Sequence, residues 1–141
     1  MNSRIVLVED NQYDAEMILR AIQAGTDAQV EWLKDGEELL SYAKSIVANE
    51  SPLPKVVLLD LKLPKVNGLE ALAQFKAMPE LNEIPVVVLT SSTEQSDIKA
   101  AYQGGANSYI VKPVSYREFK EVIESVTTYW TRLNAQPAPL L

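Results

Sequence analysis

Ile5-Val6-Leu7-Val8-Glu9-Asp10 is a short apolar run, mostly β-branched, that stops on two carboxylates. A continuous run of this length predicts a strand covered on both faces, as in a parallel sheet. The pattern recurs along the chain. Val56-Val57-Leu58-Leu59 runs into Asp60, and Ile84 to Leu89 runs into Thr90-Ser91-Ser92. Pro85 interrupts the latter only near its start, where a missing N–H is not needed. Two weaker runs are Val30 to Leu33 and Ser108 to Val111, the second leading into Lys112-Pro113.

Helical signals fill the intervals. Asp35, Asn67 and Ser115 each stand three residues before a glutamate (Glu38, Glu70, Glu118), the spacing of an N-terminal cap. Behind Ser115, the residues Phe119, Val122, Ile123, Val126, Trp130 and Leu133 recur at steps of three or four, which predicts one long helix with a single apolar stripe. Residues 12–25 and 94–103 read as two further helices, with Gly25 and Gly104-Gly105 as terminators. Five strands alternating with five helices predict an α/β fold, a doubly wound parallel sheet with helices on both faces. Residues 1–133 read as one domain and 134–141 as a short Pro-containing tail.

Composition narrows the chemistry. The chain has 141 residues, no Cys and no His. Thiol catalysis, His-ligated zinc and any His general base are excluded, and a metal site would have to use oxygen ligands. Formal net charge is −6, which speaks against nonspecific nucleic-acid binding. No apolar run is long enough to span a membrane and the start has no signal-peptide layout, so the expected compartment is the cytoplasm.

In an open parallel sheet, ligands bind beyond the carboxyl ends of the strands. Glu9, Asp10, Asp60, Thr90 and Lys112 all fall at such ends. Clustered carboxylates repel one another and call for a cation. Without His or Cys, a hard divalent ion such as Mg2+ fits best, and it leaves positions free for phosphate oxygens. A lysine and a hydroxyl opposite it would hold the remaining oxygens of a transferring phosphoryl group. Asp60 is then placed to act as nucleophile and form an acyl phosphate.

The set Glu9-Asp10, Asp60, Thr90 and Lys112-Pro113, in this order and on these strand ends, resembles the receiver domain of two-component response regulators. Asp60-Leu-Lys-Leu-Pro-Lys-Val-Asn-Gly68 resembles the family's phosphoacceptor loop, and the similarity spans about residues 3–132. The resemblance implies a flavodoxin-like (βα)5 fold with strand order 2-1-3-4-5. It implies that Asp60 accepts the phosphoryl group. Asp10, Asp60 and the backbone carbonyl of Lys62 would bind Mg2+, with Glu9 acting through water. Lys112 and Thr90 would hold phosphoryl oxygens, and Tyr109 would follow Thr90 in a conformational switch. Lys62 and Ser92 would tune dephosphorylation, and the Lys112–Pro113 peptide would be cis. Glu9 departs from the commoner Asp at the first acidic position.

The resemblance further implies a stand-alone receiver that signals through protein contacts, with a sensor histidine kinase as partner. Leu58-Leu-Asp-Leu-Lys-Leu-Pro-Lys65, Ile84 to Thr90, and Tyr129-Trp130 before the Pro-containing tail are similar to single-domain regulators paired with phytochrome-type kinases. That subgroup implies a homodimer through the C-terminal helix and tail, or through the face formed by the fourth helix, fifth strand and fifth helix. The tail's apolar end, Ala138 to Leu141, suits such an arm. Two other readings compete. A haloacid-dehalogenase-like phosphatase needs a second Asp two residues after Asp60, where Lys62 stands. An unphosphorylated pseudo-receiver, acting only as a binding module, expects the loss of an acidic or lysine position, and none is lost.

Overall fold

A computed structural model describes residues 3–137. Five strands are present: β1 (Arg4–Val8), β2 (Gln29–Leu33), β3 (Val56–Leu59), β4 (Val86–Thr90) and β5 (Ser108–Val111). They alternate with α1 (Gln12–Gly25), α2 (Gly36–Val47), α3 (Gly68–Ala77), α4 (Gln95–Gln103) and α5 (Tyr116–Thr128). All pairings are parallel and the order is β2-β1-β3-β4-β5. This is the fold and strand order expected from the sequence.

The period-2 geometry of the central strands separates two cores. Val6, Val8, Val57, Leu59, Val86 and Val88 face one side, where α2, α3 and α4 supply Leu39, Ala43, Leu72, Phe75 and Ala101. Ile5, Leu7, Val56, Leu58, Val87 and Leu89 face the other, against Ile18 and Ile22 of α1 and Phe119 and Ile123 of α5. A strand covered on both faces gains nothing from alternating polarity, which is why these runs are continuously apolar.

The three expected caps form. Asp35, Asn67 and Ser115 accept the backbone N–H of Glu38, Glu70 and Glu118. Asp35 is more than a cap, since it also pairs with Lys65 at 3.6 Å. Gly25 does not terminate α1: Thr26 does, its N–H and hydroxyl both donating to the carbonyl of Ile22. After α4, Gly104 caps the helix and Gly105 takes the left-handed backbone (φ 106°) that ends it.

The C-terminal helix departs from its expected stripe. At Tyr129–Leu133 it widens into a π-helical turn, closed by the Asn134 N–H on the carbonyl of Tyr129. Within it the Thr131 hydroxyl donates to the carbonyl of Thr127 at 2.6 Å. The extra residue per turn rotates the following side chains, so Trp130 still packs on the core while Leu133 is 70% exposed. Beyond the turn, the Gln136 side chain donates to the carbonyl of Lys55 at 2.8 Å. The tail segment Ala138–Leu141 expected as a dimer arm lies outside the described residues.

One half-buried lysine ties the β4 and β5 edge together. Lys76 Nζ donates to the carbonyls of Asn82 and Ile84 and to Asn107 Oδ1, at 3.1, 2.7 and 3.0 Å. Asn107 Oδ1 in turn accepts the Val86 N–H at the start of β4. Three donors meet three acceptors. Lys76→Met removes all three bonds while keeping the apolar stem, so we expect a loss of about 1–3 kcal/mol in urea unfolding. An unchanged midpoint would show that water takes over these acceptors.

Candidate functional site

The strand order reverses between β1 and β3, and the crevice at the carboxyl ends of these two strands is where a doubly wound sheet binds ligands. Glu9 and Asp10 follow β1 and Asp60 follows β3. One carboxylate oxygen from each lies within 4.8 Å of the others. The backbone fixes this proximity. Glu9 N–H donates to the carbonyl of Leu33, and Asp60 N–H to that of Val8, both at 3.0 Å, continuing the sheet past its formal ends. Gly68 lets α3 start against the same loop: a Cβ there would stand 2.4 Å from Leu61 Cα and 2.5 Å from the Asp60 carbonyl oxygen. Both obstacles are backbone, so no side chain at position 68 would leave Asp60 where it is.

Lys112 reaches the carboxylates from the far edge of the crevice. Its N–H is held by the carbonyl of Thr90 at 2.7 Å. Its Nζ donates to Glu9 Oε1 at 2.7 Å, Asp14 Oδ2 at 2.9 Å and Asp60 Oδ2 at 3.0 Å. Asp60 Oδ1 accepts the N–H of Lys62 at 3.2 Å, while the Lys62 side chain is exposed. Thr90 is fully buried, and its hydroxyl has no hydrogen-bond partner.

Burial and charge set the protonation of the group. Glu9 is 1% exposed. Burial first, and the negative charge of Asp60 second, push its carboxyl up to about 7, although Lys112 and the Asn11 N–H pull the other way. Burial alone would make Lys112 less basic. The hydrogen bonds from Glu9 and Asp14, with the charge of Asp60, outweigh it and hold the ammonium above its ordinary value.

Other expected residues fall nearby but not all in the expected state. Tyr109 donates its hydroxyl to the carbonyl of Ser92 at 3.0 Å, bridging β5 to the loop after β4. The Ser92 hydroxyl is spent on the start of α4, donating to Asp97 and accepting the Glu94 N–H. The Lys112–Pro113 peptide is trans, not cis as the resemblance implied. Trans is the more stable X–Pro isomer by about 0.5–1 kcal/mol. With it Lys112 already reaches three carboxylates, and the next residue, Val114, is fully exposed, so no packing there favours the other isomer.

Two contributors were not foreseen. Asp14, in the first turn of α1, is brought onto Lys112 by the cap at Asn11, whose side chain accepts the Asp14 N–H. The i+4 spacing from Asp10 was the one available hint. Trp32 donates its indole N–H to the carbonyl of Glu9 at 2.9 Å, with Lys34 Nζ 5.2 Å from the ring centre. No sequence spacing signals that contact, because it crosses from β2 to the end of β1.

The donor set suits the groups proposed for it from the sequence. Three carboxylates with no nitrogen or sulfur ligand suit a hard divalent cation. The unpartnered buried hydroxyl of Thr90, at the end of the neighbouring strand, suits an added oxygen-rich anion.

Comparison with known proteins agrees with this geometry. Residues 5–124 match the response regulator receiver domain. The chain is 44% identical over 136 residues to the probable methanogenesis regulatory protein FilR2 of Methanothrix harundinacea, covering 96% of this chain and 88% of that one. It is 34% identical to response regulator Rcp1 of Synechocystis, covering 95% and 92%. The manganese(II)-bound structure of Rcp1 superposes with a TM-score of 0.88 at 33% identity, over 96% of this chain and 99% of that one. The phosphorylated cyanobacterial phytochrome response regulator RcpA superposes with a TM-score of 0.91 at 34% identity, over 98% and 100%.

The raised Glu9 carboxyl gives a signed pH dependence. Burial pushes the Glu9 carboxyl up to about 7 in the folded chain, against an ordinary value of 4.5 when unfolded. Between these values the folded state binds the extra proton, so this contribution to stability is present below pH 4.5 and is lost as pH rises through 7. Lys112, shifted upward from an already high value, does not titrate in that window. In chelator, urea unfolding should show stability falling from pH 4.5 to 7, and Glu9→Gln should flatten the slope. Parallel profiles for the two proteins would place the proton elsewhere.

Proposed function

Because the chain belongs to the response regulator receiver domain family, we propose that it accepts a phosphoryl group on Asp60 and signals by the change of state that follows. One arrangement carries the reading: Lys112 Nζ stands 3.0 Å from Asp60 Oδ2, and Thr90, whose carbonyl accepts the Lys112 N–H, has a buried hydroxyl without a partner. An ammonium on Asp60 and a hydroxyl free to bond are what a phosphoryl group there would need.

Asp10, Asp60 and the Lys62 carbonyl would hold a Mg2+ ion, with Glu9 one water removed. When bound, the ion screens the carboxylates and neutralises charge on the transferring group. An Asp60 carboxylate oxygen attacks phosphorus, and the bond from phosphorus to the donor's nitrogen or oxygen breaks, its electron pair leaving with the donor. Lys112 and Thr90 each bind one of the new oxygens. Attack by water later restores the carboxylate and releases phosphate. Thr90 is drawn toward the phosphoryl group, and Tyr109 loses or keeps its bond to Ser92 accordingly, which would pass the change to α4 and β5. Lys62, exposed at the mouth, and Ser92, two residues past Thr90, are the positions proposed to set how fast that water attacks.

A histidine kinase is the expected donor, since this chain has no histidine of its own. The likeness to RcpA supports a phytochrome-type kinase. Incubation with acetyl phosphate and Mg2+ should add one phosphoryl group, seen by intact mass, and Asp60→Asn should add none. Equal labelling of the variant would refute Asp60 as acceptor. Transfer from a phytochrome-type kinase, read with the same pair, tests the donor.

Self-association through the C-terminal end is supported by the exposed Tyr129 and Leu133 on the π turn. Light scattering should find the full chain dimeric and a chain ending at Arg132 monomeric. An unaltered dimer would move the interface elsewhere.

A further inference from the structure

Asp14 has no task in the reaction just described, yet it holds one of the three N–H groups of Lys112. All three are engaged, by Glu9, Asp14 and Asp60. A phosphoryl group on Asp60 can take over the N–H that Asp60 Oδ2 now holds, but Lys112 can turn further toward it only if Glu9 or Asp14 yields. Glu9 is the poor candidate: it is sealed from solvent, and its second oxygen is fixed by the Asn11 N–H at 3.1 Å. Asp14 is the good one. Its side chain is 24% exposed. It also lines, with Tyr13, Ser91, Lys112 and Pro113, an open groove of about 270 Å³ from which water can replace the lost bond.

We propose that Asp14 is a positioning residue that competes with the phosphoryl group for Lys112, and thereby sets how tightly the site holds that group. The inference rests on Asp60 as the phosphoryl acceptor. It adds that a fourth carboxylate, on α1, opposes what Lys112 favours. Asp14 and a phosphoryl group would stand on two N–H groups of one ammonium, about 5 Å apart, as two hydrogen bonds diverge at the tetrahedral angle. Two like charges at that separation, partly screened by solvent, repel enough to change affinity roughly three- to ten-fold. The repulsion also couples α1 to the occupied site, because Asp14 must let go for Lys112 to turn.

Asp14→Asn separates charge from shape, since the amide oxygen can still accept from Lys112. With Mg2+ saturating, beryllofluoride serves as a noncovalent phosphoryl mimic and calorimetry gives its affinity. The variant should bind it roughly three- to ten-fold tighter than the parent, with the gap narrowing as salt is raised. Mg2+ alone should bind the variant equally or more weakly, because an anionic charge has been removed. A merely destabilised site would lose both ligands together. A second readout needs neither ligand: in chelator, acetic anhydride should acylate Lys112 faster in the variant, relative to the other lysines, because a less paired ammonium gives up its proton more readily. Equal or weaker beryllofluoride binding, or parental acylation of Lys112, overturns the proposal. A parent that binds no beryllofluoride overturns the acceptor reading as well, so the two failures can be told apart.

Discussion

The ammonium of Lys112 holds the carboxyl edge of this molecule together. Four carboxylates meet there, from the ends of β1 and β3 and the first turn of α1, and without a counter-charge their repulsion would spread the loops that carry them. Lys112 comes from the far side of the crevice and meets three of them at hydrogen-bond distance. Its backbone is fixed first, by the N–H bond to Thr90, so the long side chain crosses a gap whose width the sheet decides. A single cation also leaves the group short of charge. The surplus adds to burial in raising the Glu9 carboxyl, and it suits the cluster to a divalent ion.

The sheet is built to keep that gap constant. Its central strands are packed on both faces and, past Arg4 at the start of β1, carry no polar residue until they end. Chemistry therefore begins where packing stops. Close approach at Gly68 and the ladder bonds running past β1 and β3 lock the acidic loops to the core.

What the sequence discloses follows the range of each interaction. Strand ends are legible because a parallel sheet gathers all its carboxyl ends on one edge, so Glu9, Asp10, Asp60, Thr90 and Lys112 fall together once the strands are found. The caps at Asp35, Asn67 and Ser115 are legible because the bond spans three residues. Asp14 and Trp32 were missed because their contacts with Lys112 and Glu9 arise only when separate elements pack. Leu133 was misplaced for a different reason. A stripe drawn at 3.6 residues per turn assumes an unbroken helix, and the wide turn near Thr131 breaks that count.

The π turn has a geographic consequence. After the wide turn the chain leaves the helix at Asn134, and Gln136 comes to rest on the carbonyl of Lys55, just ahead of β3. That is the amino pole of the sheet, whereas the carboxylates occupy the opposite pole. Gln136 is therefore set a strand's length away from the carboxylate crevice, so contacts made at the two poles need not compete for the same ground.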